Sequence, residues 1–142
     1  MNTQSGAAAG SPINAYLVAR ILLAIVFIVS GINIIMAFPF VAADAGNLGI
    51  PVPTVAVGLS VALDIIGGLL VIANRFAWAV GLLWIGLLII ATPIFHWPMA
   101  NGAVDPNNLN HFLKNVSLAG GILLLVIMDK SRPAALSWLD AK

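Results

Sequence analysis

Asp64 sits near the middle of an apolar run from about Thr54 to Ala73, flanked on both sides by Val, Leu, Ile, Ala and Gly. An ionisable group at the centre of a hydrocarbon layer costs at least ~2.5–3.5 kcal/mol, so it faces a partner or a cavity. Two readings stand for it: a structural pair or protonated carboxyl, and a functional acid. Two cations are in range, Arg20 inside the first apolar run and Lys114 inside the last. Counting residues from the span ends puts each about 8–12 Å from Asp64 along the helix axis. The sequence does not choose between them, and Arg20 is better suited to extend its charge to the interface as an anchor.

A second group of polar residues has helical spacing. His111, Lys114 and Asn115 stand at i, i+3 and i+4 and so share one face of a helix. His96 and Trp97 end the preceding apolar run at the same level, and Asn33 and Ser30 lie in the corresponding half of the first. Paired imidazole and ammonium donors on one face suit an anionic or quinone-like oxygen. Two imidazoles without a third ligand do not define a metal centre, and none is assigned. His96 and Trp97 have an interfacial role open to them as well, because amphipathic rings favour headgroup depth. The chain carries no nucleophile elbow, phosphate-cradling loop, HExxH or haem-attachment motif.

The elements that must position these residues follow from composition. Of 142 residues, 61% are hydrophobic and 8% charged, and six basic and five acidic side chains cannot cover a water-soluble domain. Four apolar stretches, about 16–38, 54–73, 76–95 and 109–128, are separated by Pro- and Gly-rich punctuation. Each is close to the ~20 residues that cross a bilayer as a helix. The expected fold is all-α: an integral membrane four-helix bundle running up-down-up-down. Residues 15–129 form that domain, residues 1–14 a disordered polar tail, and residues 130–142 a short second tail. Pro39 is expected to end the first span, and Pro93 with Pro98 the third. The stretches about 39–53 and 96–110 read as loops. Gly67-Gly68 and Gly120-Gly121 are expected to let the second and fourth spans approach their neighbours, since close backbone contact drives helix association in lipid.

Charge orients the bundle. Arg20, Arg75, Lys130, Arg132 and Lys142 fall on one side of a four-pass chain, while the long connections carry only Asp44 and Asp105. By the positive-inside rule both termini are cytoplasmic. The segment Met1–Pro12 has no Lys or Arg, so it lacks the basic region of a secretory signal and the first span is expected to stay in the membrane. A net charge of +1 with no basic stripe excludes nucleic acid as a partner. With no cysteine, the chain has no disulfides, thiolate metal sites or CxxC redox chemistry of its own.

Several of these pieces lie in an order that resembles the DoxX family of small four-helix membrane proteins. They are Ala19-Arg20-Ile21-Leu22-Leu23-Ala24 leading into Phe27-Ile28-Val29-Ser30-Gly31-Ile32, Asp64-Ile65-Ile66-Gly67-Gly68-Leu69-Leu70, and Asn74-Arg75-Phe76-Ala77. Ala91-Thr92 before Phe95-His96, Asn110-His111-Phe112-Leu113-Lys114-Asn115 and Leu118-Ala119-Gly120-Gly121-Ile122-Leu123 complete the pattern. Two positions depart from it. Family members commonly carry Glu where Asp64 stands, and often a Lys shortly after the Ser-Gly pair, where this chain has Asn33-Ile34-Ile35. The resemblance implies a place in the plasma (inner) membrane and an association with redox systems, because the namesake proteins are linked to a membrane thiosulfate:quinone oxidoreductase. On that basis the chain is expected to be an accessory or quinone-interacting subunit beside other membrane redox subunits. Quinone is then the ligand class, held in a lipid-accessible polar pocket lined by Asp64, His111 and Lys114 with Asn115, His96 and Asn33 beside them, and electrons come from a partner. The alternative is a non-enzymatic scaffold, assembly factor or small-molecule carrier with a structural polar interior. Small-residue faces leave a homo-oligomer open.

Overall fold

The computed structural model describes residues 15–131. Among the described residues, four helices are long and apolar enough to cross a membrane: α1 (Ala15–Met36), α3 (Pro53–Ile72), α4 (Ala77–Phe95) and α5 (Pro106–Met128). Their bounds fall within three residues of the sequence expectation. A short helix α2 (Phe38–Asn47) and a two-stranded hairpin, β1 (Met99–Ala100) with β2 (Ala103–Val104), occupy the stretches expected as loops. The expected tail at 1–14, and residues 132–142 of the tail expected at 130–142, with Arg132 and Lys142, lie outside the described residues.

Contacts between small residues show how the helices run. A Cβ on Gly31 would lie 3.1 Å from Asp64 Cβ, and one on Gly68 would lie 2.5 Å from Ile28 Cγ1. Positions rising along α1 therefore meet positions falling along α3, so the pair is antiparallel. On α4 and α5 the same holds, because Gly81 faces Val126 and Ile122 while Thr92 meets Asn115 further along. The adjacent glycines of α3 serve different neighbours: Gly68 abuts Ile28 of α1, and Gly67 abuts Val80 of α4. Helix α1 packs on α3 and α5, and α4 packs on α3 and α5, which closes a four-helix ring. Gly121 meets Leu23 of α1 at ordinary contact distance, whereas Gly120 faces open space. The close approach expected at Gly120-Gly121 is thus confined to its second residue.

The buried face of α1 is Arg20, Ala24, Phe27 and Gly31, spaced four, three and four apart. This is the seam spacing of helices that cross at a shallow angle. At the centre, Phe27 stacks on the fully buried Trp84, with ring centroids 3.9 Å apart and planes 8° from parallel. Most other large apolar side chains face outward, as they must when lipid is the solvent.

Both prolines sit at the span ends where they were expected, and local geometry shows how each is accommodated. Pro39 does not only follow the end of α1; it lies in the first turn of α2, where its missing N–H has no partner to lose. Pro93 lies in the last turn of α4, two residues before its end at Phe95, and its missing N–H forfeits one backbone bond there. The hairpin turns on Asn101-Gly102, both at positive φ (51° and 80°), as a two-residue turn of this kind requires. Helix α5 starts earlier than its apolar run because Asp105 caps it, its carboxylate accepting the N–H groups of Asn107 and Asn108.

Candidate functional site

The polar residues fall into three levels of the bundle. At the hairpin-side end, His96 follows the last residue of α4 and His111 lies in the second turn of α5. Their rings stack with centroids 4.8 Å apart and planes 17° from parallel. Lys114 Nζ lies 3.2 Å from His111 Nδ1. An ammonium group only donates, so Nδ1 accepts and the proton of a neutral His111 ring sits on Nε2. One turn deeper, the Asn115 amide donates to the hydroxyl of buried Thr92 at 3.1 Å and ties α5 to α4. Trp97 meets Phe112 edge-on beside the histidines. Half-burial pushes the His96 pKa below its ordinary 6.5; His111 and the Lys114 charge push the same way, and the Asn108 side chain opposes them. His96 is therefore held towards its neutral form.

Asp64 occupies a separate level. It is 3% exposed, on the face of α3 turned towards α1, where Ser30 lies beside its carboxyl and Gly31 admits its Cβ. Its Oδ1 has no hydrogen-bond partner among the described residues. Neither candidate cation pairs with it there. Arg20 is level with the end of α3, seven or eight residues past Asp64, or about 10–12 Å along the axis. Its Nη1 donates to the carbonyl oxygens of Val71 and Ile72, both at 3.3 Å, and its guanidinium sits 5.0 Å from the Tyr16 ring centre. A buried cation at the carbonyl end of a helix meets the negative pole of that helix. Lys114 is exposed and turned to His111. Asn33 is exposed on α1 and joins neither group. The structure thus brings together His96, His111, Lys114 and Asn115, and leaves Asp64, Arg20 and Asn33 apart from them.

A third level was not foreseen. Asp129, which follows α5, is 1% exposed and accepts the Trp78 backbone N–H on Oδ2 at 2.6 Å. Its Oδ1 accepts both the N–H and the hydroxyl of Ser131 at 2.9 Å. It therefore caps the first turn of α4 from another helix. In the sequence Asp129 reads as the polar stop after an apolar span. The available signal was topological: in an antiparallel bundle the end of the fourth span lies beside the start of the third. Thr92 carries the same kind of signal, a polar side chain at the depth of Asn115 in an otherwise apolar span.

Comparison with known proteins fits this arrangement. A model of the DoxX family matches residues 15–97, more than half of the chain and three of its four spans. The chain belongs to the DoxX family. It is 34% identical over 123 residues to the inner membrane protein YphA of Escherichia coli (strain K12), covering 85% of each chain. It is also 32% identical over 111 residues to the inner membrane protein YqjF of the same organism, covering 78% of this chain and 81% of that one. No solved structure matches. With four apolar spans, this DoxX-family chain is a multi-pass protein of the inner membrane, in contact with the lipid bilayer.

Proposed function

We propose that this DoxX-family protein is an accessory subunit of a membrane redox system and engages a quinone headgroup beside His96, His111 and Lys114. The observation that carries the reading is the half-buried, stacked pair of imidazoles at the hairpin-side ends of α4 and α5, with an ammonium against one of them. A quinone supplies a lipid-soluble pair of carbonyl oxygens that become hydroxyls on reduction. Towards such oxygens His111 offers its Nε2 proton and Lys114 an ammonium donor. His96, held towards its neutral form, offers a ring nitrogen as a proton acceptor. The Asn115–Thr92 bond fixes the spacing of the two helices beneath. Electrons reach the site from a partner redox subunit, because this chain offers no cysteine for a thiolate-bound centre. By the positive-inside rule the cluster faces the outer leaflet, where quinone enters laterally from lipid.

The test is direct. The protein is purified from quinone-replete membranes in mild detergent and its bound lipids are extracted and analysed for quinone. Wild type is expected to retain quinone, and His111→Ala and Lys114→Ala to lose most of it. A wild-type protein that carries no quinone refutes the reading.

One observation favours a second reading, a non-enzymatic scaffold or carrier. Asp64 is packed into the α1–α3 seam beside Ser30 and Gly31, which suits a structural polar interior. That reading expects no quinone in the extract, and it expects Asp64→Asn to alter stability alone.

A further inference from the structure

At the opposite end of the bundle from the histidines, an open cleft of about 660 Å³ lies between the α3–α4 turn and the segment after α5. Asn74, Arg75, Phe76, Trp78 and Ser131 line it. Its walls are fixed by their own hydrogen bonds. Asp129 holds the Trp78 backbone on one carboxylate oxygen and Ser131 on the other. Asn74 and Phe76, at φ 56° and 55°, reverse the chain within four residues, and the Arg75 N–H closes the turn on Leu70 O at 2.9 Å.

The balance of charge at this end is uneven. Arg20 is spent on the last carbonyls of α3, and Asp129 on the first turn of α4. Arg75 is exposed and has no ion-pair partner among the described residues, and Lys130 is exposed next to Asp129. Both oxygens of Asp129 already accept hydrogen bonds, and the positive end of α4 offsets its charge, so it opposes an incoming anion only weakly. Unspent positive charge therefore borders a cleft at the depth where two spans end, which is headgroup depth. Phe76, 59% exposed, continues the rim towards hydrocarbon.

We propose that this cleft binds the phosphate of an anionic phospholipid, with the Arg75 guanidinium as the forked donor and the Asn74 amide as a second. The planar fork of an arginine matches two phosphate oxygens at once, and the rings of Phe76 and Trp78 cover the glycerol and upper acyl chain. A membrane supplies this ligand at high local concentration, and basic pockets at the ends of spans recruit it electrostatically. The site is independent of the quinone reading, since it uses other residues at the other end of the bundle.

The test uses the full chain in detergent and native mass spectrometry, with phosphatidylglycerol, phosphatidylcholine and inorganic phosphate as separate probes. Wild type is expected to retain phosphatidylglycerol at least tenfold better than phosphatidylcholine, and Arg75→Gln to abolish that preference. Arg75→Lys keeps the charge without the fork and is expected to retain part of it. Asn74→Asp leaves Arg75 in place, adds a carboxylate at the rim, and is expected to lose the preference too; a thermal melt confirms that each variant is folded. Equal retention of the two lipids by wild type overturns the proposal. So does an undiminished preference in folded Arg75→Gln. Displacement of phosphatidylglycerol by millimolar inorganic phosphate would assign the site to free phosphate and overturn the lipid assignment.

Discussion

Substituting Gly68 by alanine tests the packing of α1 on α3 at a single atom. The added Cβ would lie 2.5 Å from Ile28 Cγ1, 2.9 Å from Ile28 Cδ1 and 3.4 Å from Ala24 O. Ordinary carbon–carbon contacts optimise at about 3.5–4.0 Å, so the seam must open by roughly 1 Å or Ile28 must leave its rotamer. Overpacking of this kind costs about 1–3 kcal/mol. Alanine recovers up to about 1 kcal/mol of helix propensity, so at full recovery a net destabilisation of roughly 0–2 kcal/mol remains. Gly86 is the internal control, because a Cβ there meets nothing within 4 Å. Gly86→Ala is expected to be neutral or stabilising by up to about 1 kcal/mol, from the same propensity gain without the clash. Reversible unfolding in mixed micelles measures both. The double mutant Gly68→Ala/Ile28→Ala removes the side chain that the new methyl strikes, so the two changes should couple favourably by at least about 0.5 kcal/mol. Equal effects at positions 68 and 86, or strict additivity with Ile28→Ala, would refute the seam as described.

Three further outcomes are expected. Arg20→Ala removes the side-chain donor from the Val71 and Ile72 carbonyls, the first of which keeps the Asn74 N–H, and should destabilise the bundle by about 1.5–3 kcal/mol, with Arg20→Lys recovering part of the loss in the same unfolding assay. His96 should titrate below 6.5 by NMR, and His111→Gln should move its midpoint back upward. Its folded-state pKa is depressed, so its contribution to stability is complete above 6.5 and is lost as the pH falls through the lower, folded value; a rise in stability on acidification through that window would contradict the assignment. Because the chain has no native cysteine, Asn101→Cys at the hairpin tip provides a unique label, and an impermeant maleimide applied to intact spheroplasts should reach it. Protection of that cysteine until the membrane is broken would reverse the orientation inferred from the basic residues.

Much of the candidate site was legible because helix periodicity is local. His111, Lys114 and Asn115 had to share a face once their segment was helical, and His96 had to end the neighbouring span. Asp64 could be recognised as buried in the bundle from its position in a twenty-residue apolar run, but its surroundings could not. Both Arg20 and Lys114 lay at suitable depth for it, and depth says nothing about rotation around the bundle. The structure turns Arg20 onto the carbonyl end of α3 and Lys114 onto His111, while Ser30 and Gly31 meet the acid instead. The same limit hid Asp129, whose partner is the backbone of Trp78 fifty-one positions away.

The sequence by itself determined that this protein lives in a bilayer and crosses it four times. Hydropathy and span length are properties of single segments, and the solvent reads each segment separately. Local chemistry also wrote α2 and the hairpin, through Pro39 and Asn101-Gly102, although apolar patterning alone passed over them. The tertiary structure alone decided which helices share a seam, which glycines permit it, and where each buried charge finds its counterpart. Those outcomes depend on the rotation and register of whole helices. In lipid these are set by the fit of small side chains between surfaces far apart in the chain, not by any pattern within one of them.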